Sequence, residues 1–277
     1  MRISDRLVEI NDHLTPAERR VAECVIADPS GVAFGTVSSL AARSGTSGPT
    51  VMRLATKLGL AGFVDLQAAV QEELSQQLRP AVERIGASPA GDPVARALEH
   101  EVENVRGTLS AVDRAVFTSA VRLLADRRRS VHVVTGEATS GVAALFVDGL
   151  DQLRGGAERL GGSEVAVARQ LAFIAPGDVV VAIELRRYER WVVQAVQAAV
   201  EQGAELIAIT DSPLSPVARP AGVVFTVMAE GPGPFDSHVG TLALTNALVA
   251  AVAERVRARA AERLARVEDA VRDHLDG

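Results

Sequence analysis

A group of four polar residues between positions 47 and 57 carries the kinds of side chain that proteins use to contact DNA. At about 100° per helical residue, Thr50, Arg53 and Lys57 share one side of a helix that Ser47 can cap. Arginine and threonine can contact base edges in the major groove, and hydroxyl and ammonium groups can contact phosphates. We therefore expect Thr50 and Arg53 to contact bases, and Ser47 and Lys57 to contact phosphates. The alternative is an ordinary amphipathic hairpin whose polar stripe is only solvated.

The sequence around these residues has the layout of a helix-turn-helix. The apolar residues that give its two helices an inward face are Val37, Leu40, Ala41, Val51, Leu54 and Leu58. Gly45 permits a tight turn between the helices, and Ser47 can cap the second one, with Pro49 tolerated in its first turn. No acidic residue lies between Asp28 and Asp65, so this window is locally basic.

A second group of polar residues follows the predicted strands in the C-terminal part of the chain. These segments are TGEATSG at 135–141, ELRRYER at 184–190 and TDSPLSP at 210–216. Short β-branched runs alternate with helical patterns here, which predicts a parallel sheet covered by helices on both faces. The predicted strands are 131–135, 179–183, 205–210 and 222–227, with a weaker one near 157–160. Ligands bind such sheets at the carboxyl ends of the strands, where helix N-termini attract anions, so the three segments predict an anion site.

Length and composition divide the chain into two parts. A chain of 277 residues suits two domains. The stretch at 79–93, rich in proline, glycine and alanine, predicts a linker between an all-α domain at 1–78 and an α/β domain at 94–277. The net charge of −6 argues against nonspecific coating of nucleic acid. Because we find neither a long apolar run nor a signal segment, we expect a cytoplasmic protein that does not bind membranes.

A single long helix is predicted from Gly240 to about Leu275. Its apolar residues recur at spacings of three and four, and they are Val249, Val252, Val256, Ala260, Leu264, Val267 and Val271. This stripe is a candidate dimerisation surface, because one helix-turn-helix contacts one half-site and specific affinity normally needs two. The alternative is that the stripe packs on its own sheet. We expect a homodimer or a higher homo-oligomer.

The two halves of the chain resemble the two domains of the RpiR family of regulators. The N-terminal part carries the family run L-A … S-x-x-T-V-x-R-x-x-x-K-L-G-x-x-G-F-x-x-L. The matching residues are Leu40, Ala41, Ser47, Thr50, Val51, Arg53, Lys57, Leu58, Gly59, Gly62, Phe63 and Leu66. Residues 94–252 resemble a SIS domain, the phosphosugar-binding module of these regulators, through the PGD turn at 176–178, GAELIAITDSPLSPVARPAGVVFTV and SHVGTLALTNAL. The resemblance implies an all-α helix-turn-helix domain followed by an α/β domain with a parallel, doubly wound SIS-type sheet. It also implies double-stranded operator DNA as a partner and sugar phosphates as the usual ligands.

The chain departs from the SIS pattern in its ligand loops. The glycine-serine loop after the first strand survives only in part, and ELRRYER replaces the hydroxyl-rich loop of the type S-x-S-G-x-T. The candidate effector-binding residues are Gly136, Thr139, Ser140, Glu184, Arg186, Arg187, Thr210, Ser212, Ser237 and His238. Arg186 or Arg187 could hold a carboxylate or phosphate through a bidentate contact. Alternatively, both arginines are surface residues paired with Glu184 and Glu189.

Two of these candidates lie just before the last predicted helix. Ser237 and His238 match the family position that can lean over the ligand, although a histidine at a helix start can also be a cap. The predicted effector is a small anionic metabolite, which is either a sugar phosphate or an organic acid.

An enzyme is the main competitor of a regulator, because SIS domains also occur in sugar isomerases. Isomerisation needs a positioned base, and Glu184 or His238 could serve as one. A fused helix-turn-helix, however, has no purpose in a simple isomerase. We therefore expect a regulator of carbohydrate or related catabolic genes, with no catalytic residues, metal or cofactor. Two alternatives stay open: an isomerase-like enzyme, and a DNA-binding protein whose α/β half only dimerises.

Overall fold

The computed structural model describes residues 3–77, 91–213 and 215–274. The chain divides into two compact units, an N-terminal one of Met1–Pro89 with Ser212–Pro216 and a second one of Ala90–Asp211 with Val217–Gly277. The linker predicted at 79–93 lies outside the described residues as far as position 90. Its last residue, Pro93, is already helical, because the carboxylate of Asp92 accepts a hydrogen bond from the Val94 N–H at 3.0 Å and caps the helix there.

The described part of the N-terminal unit is helical. Its helices are α1 (Ile3–Glu9), α2 (Pro16–Ala27), α3 (Pro29–Ala33), α4 (Val37–Arg43), α5 (Gly48–Lys57) and α6 (Phe63–Gln77). The inward faces predicted for α4 and α5 are confirmed, since Leu40, Val51 and Leu54 are fully buried in one core. Residues 11–13 form a 3-10 turn after α1. Helix α3 has five residues, which are too few to show a helical period in the sequence.

The second unit contains a five-stranded parallel sheet with helices on both faces. The strands are β1 (Val131–Thr135), β2 (Ala157–Arg159), β3 (Val179–Glu184), β4 (Glu205–Thr210) and β5 (Val223–Thr226), in the order β2-β1-β3-β4-β5. The helices are α7 (Pro93–Ser110), α8 (Arg114–Ala125), α9 (Ser140–Arg154), α10 (Glu164–Leu171), α11 (Arg190–Glu201), α12 (Val239–Arg255) and α13 (Arg257–Val271). Alternate strand residues enter two separate cores, with Val133 in one and Val134 in the other. The predicted parallel, doubly wound sheet is confirmed, including its weak fifth strand.

The C-terminal segment is bent, so the prediction of a single long helix is wrong. The axes of α12 and α13 differ by 106° across Val256. Val252 is buried and Val256 packs against the same core, which holds the end of α12 in the α/β unit. After the bend, the Arg263 guanidinium donates to the carbonyl oxygens of Asp151 and Gln152 at 2.7 and 3.0 Å and so holds α13 against the end of α9. The predicted dimerisation stripe is therefore divided between two helices, and its first half packs on its own unit.

None of the helices in the described ranges is, by itself, long and apolar enough to cross a membrane. Only α12 and α13 taken together meet the length and composition for a span, and the 106° bend lies between them. The residues that make α12 apolar include Leu244, Leu248 and Val252, all of which are fully buried in the core of the α/β unit.

Candidate DNA-binding and effector-binding sites

The helix-turn-helix geometry at α4 and α5 follows the sequence closely. Gly45 has a φ of +59°, the left-handed conformation that the tight turn requires. Ser47 occupies the N-cap of α5, but its hydroxyl does not cap a backbone N–H and lies 3.1 Å from the hydroxyl of Thr50 instead. Met52, Arg53 and other exposed residues of α5 form the face that is open to solvent.

Thr50 does not lie on this exposed face, contrary to its expected place on the polar stripe, and its contact with a base stays a prediction. Only 4% of the residue is exposed, and its hydroxyl accepts a hydrogen bond from the Arg53 guanidinium at 3.0 Å. The position lies at the border between the apolar and polar sides of α5, and the core covers it. Arg53 itself has 61% of its side chain exposed. Thr50 therefore orients Arg53, and Arg53 remains the candidate for a base contact.

Lys57 binds groups of the protein itself, and its contact with a phosphate stays a prediction. Its ammonium group donates to the Glu18 carboxylate and to the His13 carbonyl oxygen, both at 2.8 Å. The Glu18 carboxylate is almost completely buried and also accepts a hydrogen bond from the Thr15 N–H at 2.8 Å. Burial alone would raise the pKa of Glu18, but the bonds from Lys57 and Thr15 outweigh it and lower the pKa to about 2. Lys57 therefore fixes α5 against the start of α2.

Glu18 contributes to this region, although it was not among the residues predicted from the sequence. Besides its bonds to Lys57 and Thr15, one of its oxygens lies 3.9 Å from Nε of Arg53. The signal was present as the segment Thr15-Pro-Ala-Glu18, which has the spacing of a capping box, and the structure shows the reciprocal box at the start of α2. Arg20 was missed as well; its Nε donates to the Ser44 carbonyl oxygen in the turn before α5 at 3.3 Å.

At the carboxyl edge of the sheet, two carboxylates bind the backbone where β1 leads into α9. Glu184 accepts hydrogen bonds from the Gly136 N–H and the Glu189 N–H, both at 2.7 Å. The Glu189 carboxylate accepts from the Glu137 N–H and from Nε1 of Trp191, also at 2.7 Å. Burial raises the pKa of Glu184 to about 7, and the nearby charge of Glu189 contributes, even though both hydrogen bonds favour the ionised form. A ligand anion at this turn would compete with both carboxylates.

The hydroxyl groups predicted to line the same turn are mostly buried with protein partners. The hydroxyls of Thr135 and Thr139 contact each other and lie 2.9 and 3.1 Å from the Ile183 carbonyl oxygen. Thr210 is fully buried at the end of β4, 3.4 Å from the Asp211 carboxylate. Ser140 is half-buried as the first residue of α9. Thr139 and Thr210 therefore support the ends of the strands, whereas Ser140 is less buried, and their contacts with an effector stay predictions.

Arg186 is not paired with Glu184 and Glu189, so that alternative is wrong for it, and its contact with an anionic ligand stays a prediction. It has a φ of +54°, and its backbone N–H donates to the Asp211 carboxylate at 3.1 Å. Its guanidinium binds Asp236 at 3.1 Å and Glu230 at 2.5 Å, instead of Glu184 and Glu189. The Arg186 Nε is buried without a hydrogen-bond partner. Arg186 therefore joins the segment after β3 to the segment before α12, and two of its nitrogens are already engaged.

The remaining candidates lie on the segments after β3, after β4 and before α12. Arg187 follows β3 and is exposed, and Ser212 follows Asp211 directly after β4. The Ser237 hydroxyl donates to Glu101 of α7 at 2.5 Å and accepts from the Val239 N–H at 3.1 Å. It therefore ties the start of α12 to α7, and its contact with a ligand stays a prediction. His238 is the N-cap residue, its Nδ1 is buried without a partner, and burial lowers its pKa.

The structure thus brings Gly136, Glu184 and Arg186 to one edge of the sheet, and it holds Ser237 and His238 at the start of α12. Within the described ranges, no three or more His, Cys, Asp and Glu side chains are grouped so that they could hold a metal ion. The geometry provides backbone donors and carboxylates suited to binding a polar ligand.

A helix-turn-helix joined to a doubly wound α/β domain defines a DNA-binding regulator with a ligand-binding domain. A family model described as "Helix-turn-helix domain, rpiR family" matches residues 1–77, and one described as "SIS domain" matches residues 121–251. The solved sugar isomerase domain of the RpiR transcription factor from Sphaerobacter thermophilus is 30% identical, with a TM-score of 0.59 over 64% of this chain and 98% of that one. The chain belongs to the RpiR family of transcription regulators.

Relatives aligned over nearly the whole chain have the same arrangement. HexR of Escherichia coli K12, a helix-turn-helix transcriptional regulator, is 23% identical over 99% of this chain and 95% of its own length. Vibrio vulnificus NanR, solved in complex with ManNAc-6P, is 20% identical, with a TM-score of 0.61 over 98% of this chain and 100% of that one. The bifunctional glk protein of Burkholderia mallei is longer, and this chain spans 41% of its length. HexR, which matches this chain from end to end, is therefore named as a transcriptional regulator.

Proposed function

We propose that this regulator reads operator DNA through the exposed face of α5 and senses an anionic carbohydrate metabolite at the carboxyl edge of its sheet. The observation that carries the DNA half is Arg53, whose guanidinium is exposed on a helix that the core holds from the other side. The ligand half is supported by the backbone donors of Gly136 and Glu137 before α9, which already hold anionic groups. We place the protein in the cytoplasm, where both partners are found.

The class of effector is proposed from the family and the site together. NanR, which shares the whole fold, was solved with a sugar phosphate. A ligand that binds one conformation of the regulator better than the other shifts the protein toward that conformation, and this is how an effector can change DNA affinity. Titration of the protein with operator DNA, in the presence and absence of the metabolite, measures directly whether the metabolite weakens or strengthens operator binding.

A panel of sugar phosphates and organic acids is expected to contain a compound that raises the melting temperature of the full chain. Arg187→Ala is expected to lose this shift, because Arg187 is an exposed cation in the segment after β3. Arg169→Ala, which removes an exposed arginine from α10, is the matched control and should keep the shift. Differential scanning fluorimetry gives the result. If no compound in the panel moved the melting temperature, the effector half of the proposal would fail.

We also propose that the regulator is a homodimer, since one helix-turn-helix reads one half-site. Because the bend before α13 divides the predicted dimerisation stripe, we propose α7 as the dimerisation surface instead. Exposed apolar residues recur along α7 at helical spacing, with Val94 at 75%, Leu98 at 65% and Val102 at 43% exposure. A groove of about 650 Å³ lined by Leu98, Val102 and Met228 adjoins them. A second copy of this chain is the occupant that two half-sites require.

Leu98→Glu is expected to convert the dimer into a monomer, because a charge would replace an apolar side chain at the centre of the contact. Sedimentation velocity at micromolar concentration measures the change. Leu145→Glu, the same change at an exposed leucine of α9, is the control and should leave the dimer intact. A wild-type monomer, or a dimer that survives Leu98→Glu, would contradict this surface.

An isomerase is the less supported alternative. Glu184, the carboxylate that could act as base, has both oxygens bound to backbone N–H groups. A catalytic base must reach the proton that it abstracts from the substrate. A protein whose α/β half only dimerises would show operator affinity that no metabolite changes.

A further inference from the structure

The turn between β1 and α9 already binds two carboxylates of the protein itself, those of Glu184 and Glu189. The Gly136 and Glu137 N–H groups lie at the start of a 3-10 turn (Glu137–Thr139) that leads directly into the 15-residue helix α9, on the side where the helix dipole favours negative charge. Both N–H groups are occupied, the first by Glu184 and the second by Glu189, each at 2.7 Å. A Cβ built at Gly136 would lie 2.4 Å from an oxygen of each carboxylate. The two carboxylates therefore fill the space beside this turn.

The segment that carries these carboxylates is attached at several points. Tyr188 donates its hydroxyl proton to Asp211 at 2.8 Å, and Arg186 binds the same carboxylate through its backbone N–H. Trp191 donates Nε1 to the second oxygen of Glu189 at 2.7 Å. Glu184 belongs to β3 itself and is 3% exposed, whereas Glu189 is half-buried just before α11. Of the two carboxylates, Glu189 is the one that can move without disturbing the sheet.

We propose that Glu189 is a built-in competitor of the effector's anionic group, and that effector binding displaces its carboxylate from the Glu137 N–H. This inference rests on the proposed function, because it concerns the same ligand edge. An incoming anion would meet the negative charge of Glu189, beside the buried carboxyl group of Glu184, before it reached the backbone donors. Displacement of Glu189 thus costs free energy and lowers the affinity of the site for any anion. Ligands that bind well are those whose other groups make contacts that offset this cost. Its release also removes the hydrogen bond to Trp191.

The test uses inorganic phosphate as the probe and the full chain as the protein. Glu189→Gln removes the charge but keeps the size of the side chain, so we expect phosphate to bind at least about 10-fold more tightly than to the wild type in isothermal titration calorimetry. Glu201→Gln at the other end of α11 changes the net charge equally and should bind phosphate like the wild type. Equal phosphate affinity of the wild type and Glu189→Gln, or no binding to either, would overturn the inference.

A second measurement avoids any dependence on how well the variant folds. Trp191 is the only tryptophan of the chain, so its fluorescence reports on the hydrogen bond to Glu189. Phosphate should shift the Trp191 emission of the wild-type protein if Glu189 is displaced. Phosphate binding detected by calorimetry without an emission change would contradict displacement. Failure of the inference is separable from failure of the proposed function, because a sugar phosphate that binds wild type and Glu189→Gln equally and still changes operator affinity would refute only the inference.

Discussion

Arg53→Ala is expected to abolish sequence-specific operator binding while the protein remains folded. The side chain is 61% exposed and its guanidinium is oriented by the buried hydroxyl of Thr50, so its removal leaves the core of the helix-turn-helix unchanged. A good bidentate arginine contact to guanine contributes about 1–3 kcal/mol of discrimination, which corresponds to roughly 5- to 150-fold in affinity per half-site. In a dimer the loss occurs at both half-sites.

The measurement is fluorescence anisotropy with duplexes that the wild-type protein selects from a random-sequence library. Specific and nonspecific duplexes are compared at one fixed salt concentration, because phosphate contacts depend strongly on salt. Arg169→Ala in α10 removes the same charge outside the helix-turn-helix and should bind like the wild type. Unchanged specific affinity in Arg53→Ala, with the folded state verified by circular dichroism, would remove Arg53 from the DNA interface.

Glu18→Gln is expected to destabilise the N-terminal unit and to weaken operator binding. The carboxylate is buried and holds Lys57 of α5 at 2.8 Å, and an amide cannot form this ion pair. Lys57 is 37% exposed and the amide oxygen can still accept its hydrogen bond, so we expect the loss of charge to cost about 1 kcal/mol of unfolding free energy. Because α5 loses its attachment to α2, we expect operator affinity to fall as well, although Glu18 itself is buried. Glu9→Gln, at an exposed site on α1, is the control and should change neither property.

The pH dependence of stability distinguishes this ion pair from simple packing. The pKa of Glu18 is lowered to about 2 in the folded protein, from an ordinary value of 4.5. The unfolded chain therefore takes up the proton first as the pH falls, and the stability that the charged carboxylate contributes is present above pH 4.5 and lost toward pH 2. Thermal unfolding of wild type and Glu18→Gln should differ most at pH 7 and converge toward pH 2. A difference that stayed constant over this range would indicate packing rather than charge.

The periodic parts of the fold could be predicted from the sequence. Buried parallel strands such as Val179–Glu184 are apolar on both faces, and the turn at Gly45 needs a glycine, so both features are visible in the order of residue types. The bend at Val256 could not be predicted, because α12 and α13 share one continuous helical pattern. Only the contacts of Val256 with the core and of Arg263 with α9 determine where the chain turns.

For the candidate sites, too, the sequence pattern predicted which residues share a helix face, but not which distant residues they contact. Helical spacing placed Thr50, Arg53 and Lys57 on one stripe, but the spacing could not show that Glu18, on another helix, would bind Lys57. Likewise, the ELRRYER segment was recognised as a departure from the family. The residue types of this segment favoured its arginines as the groups that bind an anion. The structure shows that Glu184 and Glu189 of this segment bind the backbone N–H groups of Gly136 and Glu137. Side-chain pairing between distant segments depends on the tertiary structure and is not encoded in local spacing.

The central claim is that ligand binding in the α/β domain changes operator affinity, and a reciprocal titration tests it most directly. The operator dissociation constant of the full chain is measured at increasing concentrations of the stabilising metabolite, and the metabolite dissociation constant is measured with and without operator. The account predicts that both constants change by the same factor, about 5- to 150-fold for a typical allosteric coupling. An operator dissociation constant that stays the same while the metabolite saturates the protein would contradict it.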